Sequence, residues 1–189
     1  MENMTYVKTD REAVNKLYVR KLTYSAVCLA MALALPFLTG QIPEIGSMQC
    51  PMHIPALLCG FLCGWPWGLA MGFVAPLLRH FLFGVPPMPT ALAMAFELAA
   101  YGAVSGALYR VLPKKGGSVY VSLIAAMVAG RVVWGAVQYA IAGVQGTVFT
   151  ISAFMAGAVT MAIPGIVLQL VMIPPLVIVL RKTKLTLNG

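Results

Sequence analysis

Runs of about twenty apolar residues recur along the whole chain, and they constrain its fold more than any local motif. Hydrophobic residues make up 60% of the 189 positions, charged residues only 10%, and the mean hydropathy is +0.88. A soluble fold of this length has too little interior to bury so much apolar surface. Roughly 20 apolar residues in a helix cross a bilayer, and a helix pairs its own backbone polar groups in lipid. The sequence therefore predicts an all-α integral membrane protein.

Six apolar segments with short connections are predicted to be transmembrane helices. They cover residues 20–39, 53–64, 67–83, 90–109, 118–142 and 151–180. We expect a polar arm over 1–19, a six-helix membrane domain over 20–182 and a tail over 183–189. The polar residues ahead of the first segment favour a retained span rather than a removable signal.

Tryptophan and proline residues are expected to shape one connection and one segment. Trp65-Pro66-Trp67 is expected to form a tight turn between the second and third spans, with aromatic rings at the membrane interface. Pro164, Pro174 and Pro175 lie in the sixth segment and are expected to kink it or break its end.

Basic residues mark one side of the predicted membrane domain. They are Lys8, Arg11, Lys16, Arg20, Lys21, Arg110, Lys114, Lys115, Arg181, Lys182 and Lys184. The loops near 40–52, 83–89 and 143–150 contain no Lys or Arg. Because short basic segments are retained in the cytoplasm, both termini are predicted to be cytoplasmic in a multi-pass protein of a prokaryotic plasma membrane. The net charge of +8 is then expected to serve topology and contacts with membrane lipid, not nucleic acid.

Cysteine, methionine and histidine do not form a convincing metal site. Cys28, Cys59 and Cys63 lie in apolar stretches, which favours buried free thiols over disulfides. The segment 48–53 (MQCPMH) holds soft ligands that could bind Cu(I) or Zn(II), but no matching cluster occurs elsewhere. A lid that packs its apolar side chains over the spans explains this segment as well, so neither a metal nor a cofactor is expected.

Small residues recur at four-residue spacing in several spans. Ala26, Ala30 and Ala34 share one helical face, and the pairs Gly68/Gly72 and Gly102/Gly106 repeat the pattern. Small residues at this spacing allow helices to approach closely in lipid. The pattern by itself fits internal packing as well as docking of a partner.

Four ionisable residues lie within or at the ends of the predicted spans. Glu97 and Arg131 fall inside the fourth and fifth spans, and Arg79 and His80 lie at the end of the third. Isolated charges in lipid are unfavourable, so these groups should pair with each other, with water or with a ligand. A structural Glu97–Arg131 ion pair and a polar pocket that opens outward both satisfy this requirement.

The fifth span favours the pocket. Arg131, Trp134 and Gln138 recur at steps of three and four residues and therefore share a helical face. A guanidinium, an indole and a carboxamide aligned in this way suit a small molecule with polar and flat parts.

Motifs of enzymes are absent from the sequence. It contains no HExxH, no GxSxG and no glycine-rich loop ending in GK[ST]. The chain is not expected to be an enzyme, and energy for uphill transport would have to come from a partner.

Together these features resemble the substrate-binding S components of energy-coupling factor (ECF) vitamin transporters over residues 18–182. The resemblance rests on the six short-looped spans, the basic start leading into Ala26-xxx-Ala30, and the segments PMHIPALLCGFLCGWPWGLAMGF and FELAAYGAVSGALYRVLPKK. It implies a high-affinity subunit of an ABC-type importer that captures a vitamin-like molecule outside, with loop 40–52 as the lid. The Ala26/Ala30/Ala34 face would dock on a transmembrane T component, and two cytoplasmic ATPases would drive release inside.

The resemblance also implies where the substrate binds. Pockets of the family are built by the outer halves of spans 4 to 6 and by the first loop. In this chain that region supplies Glu97, Tyr101, Arg131, Trp134, Gln138 and Gln169, with Gln41 and Glu44 from the loop and Arg79 nearby. Two arginines favour an anionic ligand, with pantothenate as the leading candidate. Riboflavin, folate, a pyridoxine-like compound and a queuosine precursor remain open. A free-standing small-molecule transporter is the alternative, but it needs a water path, and the inner half of the predicted bundle is apolar.

Overall fold

Helices make up all the regular secondary structure in the part of the chain that the structure describes. This computed structural model describes residues 2–38, 51–113, 116–157, 162–183 and 185–188. The helices are α1 (Glu2–Leu38), α2 (His53–Cys63), α3 (Trp65–Phe83), α4 (Met88–Val111), α5 (Gly116–Gln145), α6 (Ile151–Met155) and α7 (Ile163–Lys182). The predicted all-α class is confirmed.

Four of these helices are long and apolar enough to cross a membrane. They are α4, α5, α7 and the part of α1 from Arg11 to Phe37. The other two predicted spans correspond to α2, which has 11 residues, and α3, which has 19. At about 1.5 Å per residue, α2 is only half as long as a bilayer core is thick. Length and composition thus support four of the six predicted spans, and the full set of six stays a prediction.

Two predicted boundaries differ from the structure near the polar ends. α1 begins at Glu2, so the arm over 1–19 is helical from that residue and continuous with the first span. The turn between α2 and α3 is formed by Gly64, which has φ 97° and ψ 171°, and not by Trp65-Pro66-Trp67. Proline is favourable in the first turn of a helix, where its missing N–H group is not needed, so α3 starts directly at this tripeptide.

Two described helices lie in the sixth predicted segment. They are α6 and α7, the first turn of α7 contains Pro164, and residues 158–161 lie outside the described part of the chain. α7 then runs through Pro174 and Pro175 to Lys182, so these two prolines do not end it.

Glycines bring α2, α3 and α4 into close contact. α4 lies between its neighbours and packs against α2, α3 and α5. A Cβ atom on Gly68 would lie only 2.6 Å from the carbonyl oxygen of Gly102, and one on Gly106 would lie 2.8 Å from that of Gly60. The Gly68/Gly72 and Gly102/Gly106 pairs therefore serve internal packing.

The start of the first span and residues 185–188 lie at the same end of the bundle. The Cys63 thiol donates to the carbonyl of Lys21 at 3.6 Å, and the N–H of Leu187 donates to the carbonyl of Leu62 at 2.8 Å. The side-chain amide of Asn188 donates to the carbonyls of Gly60 at 3.3 Å and Gly106 at 2.9 Å. We call the end with the start of the first span and residues 185–188 the basic end. The opposite end, where α1 and α3 end, is called the far end.

Candidate functional site

Glu97 on α4 is the centre of a buried polar cluster. Its Oε1 atom lies 2.9 Å from Nη1 of Arg131 on α5 and 3.3 Å from Nε2 of His53 on α2. The exposed fractions are 2% for Glu97, 15% for Arg131 and 3% for His53. One carboxylate thus joins three helices through side chains that are almost entirely removed from solvent.

Tyr101, one turn after Glu97, completes this cluster. Its buried ring packs edge-on against His53, with the ring centroids 5.0 Å apart and the planes at 90°. A Cβ atom on Gly130 would lie 2.5 Å from the Tyr101 ring. The absence of a side chain at Gly130 therefore lets α5 approach α4, which brings the next residue, Arg131, to Glu97.

The electrostatics of the cluster follow from its burial. An ionised carboxylate in this environment needs a counter-charge, and Arg131 supplies it. The ion pair between Glu97 and Arg131, one of the two arrangements that the sequence left open, is present. Among the residues that the structure describes, neither ring nitrogen of His53 has a hydrogen-bond partner, and Oε1 of Gln169 on α7, a residue only 1% exposed, has none either. The cluster thus balances its charge but leaves hydrogen-bonding capacity unused.

Arg79 lies in a different environment from the cluster. Its guanidinium donates to the carbonyl of Leu33 on α1 at 3.1 Å and lies over the rings of Phe37 at 5.3 Å and Phe83 at 5.9 Å. His80 is engaged locally, with Nδ1 2.7 Å from the carbonyl oxygen of Pro86. The structure therefore places Arg79 as a link between α1 and α3 near the far end, and Arg131 is the arginine that joins Glu97.

Trp134 and Gln138 are half-buried on α5. The Trp134 ring lies 6.1 Å from that of Phe149 and 6.2 Å from that of Phe154. Beside them is an open, mainly apolar cavity of about 290 Å³, lined by residues between 132 and 139 of α5 and between 149 and 154. The predicted face of α5 thus contacts two different environments, because Arg131 reaches Glu97 whereas Trp134 packs against the aromatic rings.

Two predicted substrate contacts, Gln41 and Glu44, lie outside the described residues, as do Met48 and Cys50 of the segment considered for metal binding. His53, the last residue of that segment, lies against Glu97 instead. Sequence reasoning considered His53 only as a metal ligand and missed its place in the polar cluster. The available signal was a histidine that opens an otherwise apolar helix.

The alanine stripe of α1 faces away from the bundle. Ala26, Ala30 and Ala34 are exposed, whereas Cys28 and Ala32 on the opposite face are buried. The buried face includes the expected free thiol of Cys28, and Cys59 on α2 donates to Ser25 at 3.4 Å. The stripe is therefore not used in packing within this chain, unlike the glycines of α3 and α4.

One comparison with known proteins identifies a family for this chain. No curated protein and no solved structure matches the chain. The family described as "ECF transporter, substrate-specific component" matches residues 20–177, which include α2 to α6 and most of α1 and α7. A match over so much of the sequence shows that the chain belongs to the family of substrate-specific components of ECF transporters.

Proposed function

We propose that this substrate-specific component binds a vitamin-like small molecule with high affinity on the outer side of a prokaryotic plasma membrane. The observation that carries this proposal is the buried cluster of Glu97, Arg131 and His53, which holds charged and hydrogen-bonding groups among apolar helices. Ionisable groups buried among apolar helices are energetically unfavourable and rare, so where they occur they often serve a function such as substrate recognition. In this proposal the basic end is cytoplasmic and the far end faces outwards.

The proposed ligand path combines this cluster with the aromatic residues beside it. Trp134 and the open cavity near Phe154 supply flat apolar surface, and Gln138 and Gln169 supply amide groups. Gln41 and Glu44 are proposed to contribute from the loop that would close over the ligand. Binding sites of this kind are mostly apolar, with a few polar groups that orient the ligand.

Pantothenate is the first ligand to test. It carries one carboxylate, two hydroxyls and an amide. Both arginines that favour an anionic ligand are already engaged, Arg131 by Glu97 and Arg79 by the carbonyl of Leu33, so the hydroxyl and amide groups of pantothenate match the cluster better than its carboxylate does. Riboflavin, folate, pyridoxine and a queuosine precursor form the comparison panel.

Delivery is proposed to require an ECF T component and two cytoplasmic ATPases. The exposed stripe of Ala26, Ala30 and Ala34 would be the docking face, because small side chains allow close approach of partner helices in lipid. The chain has no ATP-binding motif of its own, which fits energy supplied by these partners.

Native mass spectrometry of the purified protein, followed by calorimetric titration with the panel, tests this function. We expect one vitamin to co-purify or to bind at sub-micromolar concentration, and Arg131→Ala to weaken that binding while Arg110→Ala, an exposed matched arginine, does not. Uptake into vesicles that contain this chain without ATPases would instead identify a free-standing transporter. Failure to bind any member of the panel would contradict the proposed substrate class.

A further inference from the structure

His53 is the member of the polar cluster whose hydrogen-bonding groups are not used. It is 3% exposed, its Nε2 atom lies 3.3 Å from Glu97 Oε1, and its Nδ1 atom has no hydrogen-bond partner within the described part of the chain. Buried polar atoms in native proteins are nearly always hydrogen-bonded, so an unpaired one needs a physical explanation.

The neighbours of His53 decide which hydrogen bond it can make. A carboxylate only accepts hydrogen bonds, so the tautomer with its proton on Nε2 is the one that suits the position facing Glu97. In that tautomer Nδ1 is an acceptor, and it has no hydrogen-bond partner among the described residues. The perpendicular ring of Tyr101, 5.0 Å away, packs against the imidazole and restricts its rotation.

The charge of the cluster restricts what Nδ1 can meet. Glu97 is already paired with Arg131 at 2.9 Å, so the pair is neutral overall. An ionised ligand group beside it would be buried without a counter-charge of its own, whereas an uncharged donor needs none.

We propose that His53 is a specificity-determining residue whose Nδ1 atom accepts a hydrogen bond from an uncharged O–H or N–H group of the transported molecule. This inference rests on the proposed function, because it assumes that the polar cluster belongs to the substrate site. In pantothenate the hydroxyl or amide groups, and not the carboxylate, would face His53. Panthenol, which replaces that carboxylate by an alcohol, keeps the same donors.

Two isosteric substitutions separate the two nitrogens of the ring. His53→Gln keeps an amide N–H group near the position of Nε2, facing Glu97, but removes Nδ1. His53→Asn keeps an amide oxygen near the position of Nδ1 and loses the group that faces Glu97. Thermal midpoint and affinity would be measured for wild type and both variants in nanodiscs, with pantothenate and panthenol as probes, then riboflavin, folate and pyridoxine if neither binds.

We expect His53→Gln to keep its thermal midpoint and to weaken binding by about tenfold or more, because one buried hydrogen bond to the ligand is lost. His53→Asn should lower the midpoint yet bind within about threefold of wild type, since its oxygen replaces the acceptor. Equal affinity of His53→Gln and wild type for the ligand overturns the inference. It is also overturned if, in both variants, affinity falls only as far as the thermal midpoint falls. If the wild-type protein binds no probe, the proposed function itself is contradicted. That result differs from the two that overturn the role of His53, because in both of those the wild-type protein binds.

Discussion

Glu97 and Arg131 form an ion pair of 2.9 Å that connects α4 to α5 in a nearly solvent-free environment. The two residues are separated by a whole loop in sequence, and their contact depends on the close approach that Gly130 allows. Attraction within a buried pair is largely offset by desolvation, so the pair specifies an arrangement of helices more than it adds stability.

Removal of one partner of this pair is expected to destabilise the protein more than removal of both. Arg131→Gln leaves the Glu97 carboxylate buried without a counter-charge, a loss of about 3–5 kcal/mol. The double variant Glu97→Gln/Arg131→Gln should recover most of this loss, because two neutral amides can face each other. Thermal unfolding in detergent measures the difference, with Arg110→Gln on the exposed end of α4 as control. Equal destabilisation by the single and the double variant would contradict a coupled pair.

The contact between α3 and α4 depends on the absence of side chains. Gly68→Ala would place a Cβ atom 2.6 Å from the Gly102 carbonyl, where backbone has to shift, so a loss of about 1–3 kcal/mol is expected. Gly143→Ala in α5 is the matched control, because nothing lies within 4 Å and the helical backbone accepts alanine. That control should raise stability by about 0.5–1 kcal/mol. Relative to wild type, the thermal midpoint should fall in Gly68→Ala and rise in Gly143→Ala. An unchanged midpoint in Gly68→Ala would refute the close contact.

Residues 185–188 are expected to stabilise the basic end through Asn188. Asn188→Ala removes donors to the carbonyls of Gly60 and Gly106, for a loss of about 1–2 kcal/mol. Asn188→Asp should be worse, since a carboxylate cannot donate and would lie beside two carbonyl oxygens. Leu185→Ala, at a partly exposed position of the same segment, serves as control in the same unfolding assay. If both Asn188 variants unfold at the wild-type temperature, as the control is expected to do, residues 185–188 do not stabilise the bundle.

Bulky side chains on the alanine stripe are expected to block transport without affecting ligand binding. Ala26→Trp and Ala30→Trp change exposed positions, so the fold and the polar cluster on the other helices should persist. Co-purification with the T component and ATP-dependent uptake should both be lost. Val128→Trp, exposed on α5 and not on the stripe, is the control and should retain both. Normal uptake by the stripe variants would mean that another face docks.

Several features of the fold could be predicted from local sequence. Helices α4 and α5 appear within a few residues of their predicted bounds, because twenty or more apolar residues in lipid have no other way to pair their backbone groups. The different roles of the prolines in the last segment were not predicted, since a kink or break is signalled equally at Pro164 and at Pro174. Only the first of them lies at a helix start.

The candidate site was predicted in part. Glu97 and Arg131 were identifiable because ionisable residues are rare within apolar spans, and each stands out in its own segment. His53 was not, because a histidine beside Met52 and Cys50 fits a metal-binding loop as well as a helix start.

By itself the sequence determined that the chain is helical and apolar, which residues carry charge within it, and that small residues recur on three helices. Those properties depend on hydropathy and periodicity over a few turns. Only the tertiary structure decided that Gly68 and Gly102 face each other while Ala30 remains exposed, and that Arg131 reaches Glu97 while Arg79 binds the carbonyl of Leu33. The same spacing or charge supports either outcome, and the rotation and distance of neighbouring helices select one.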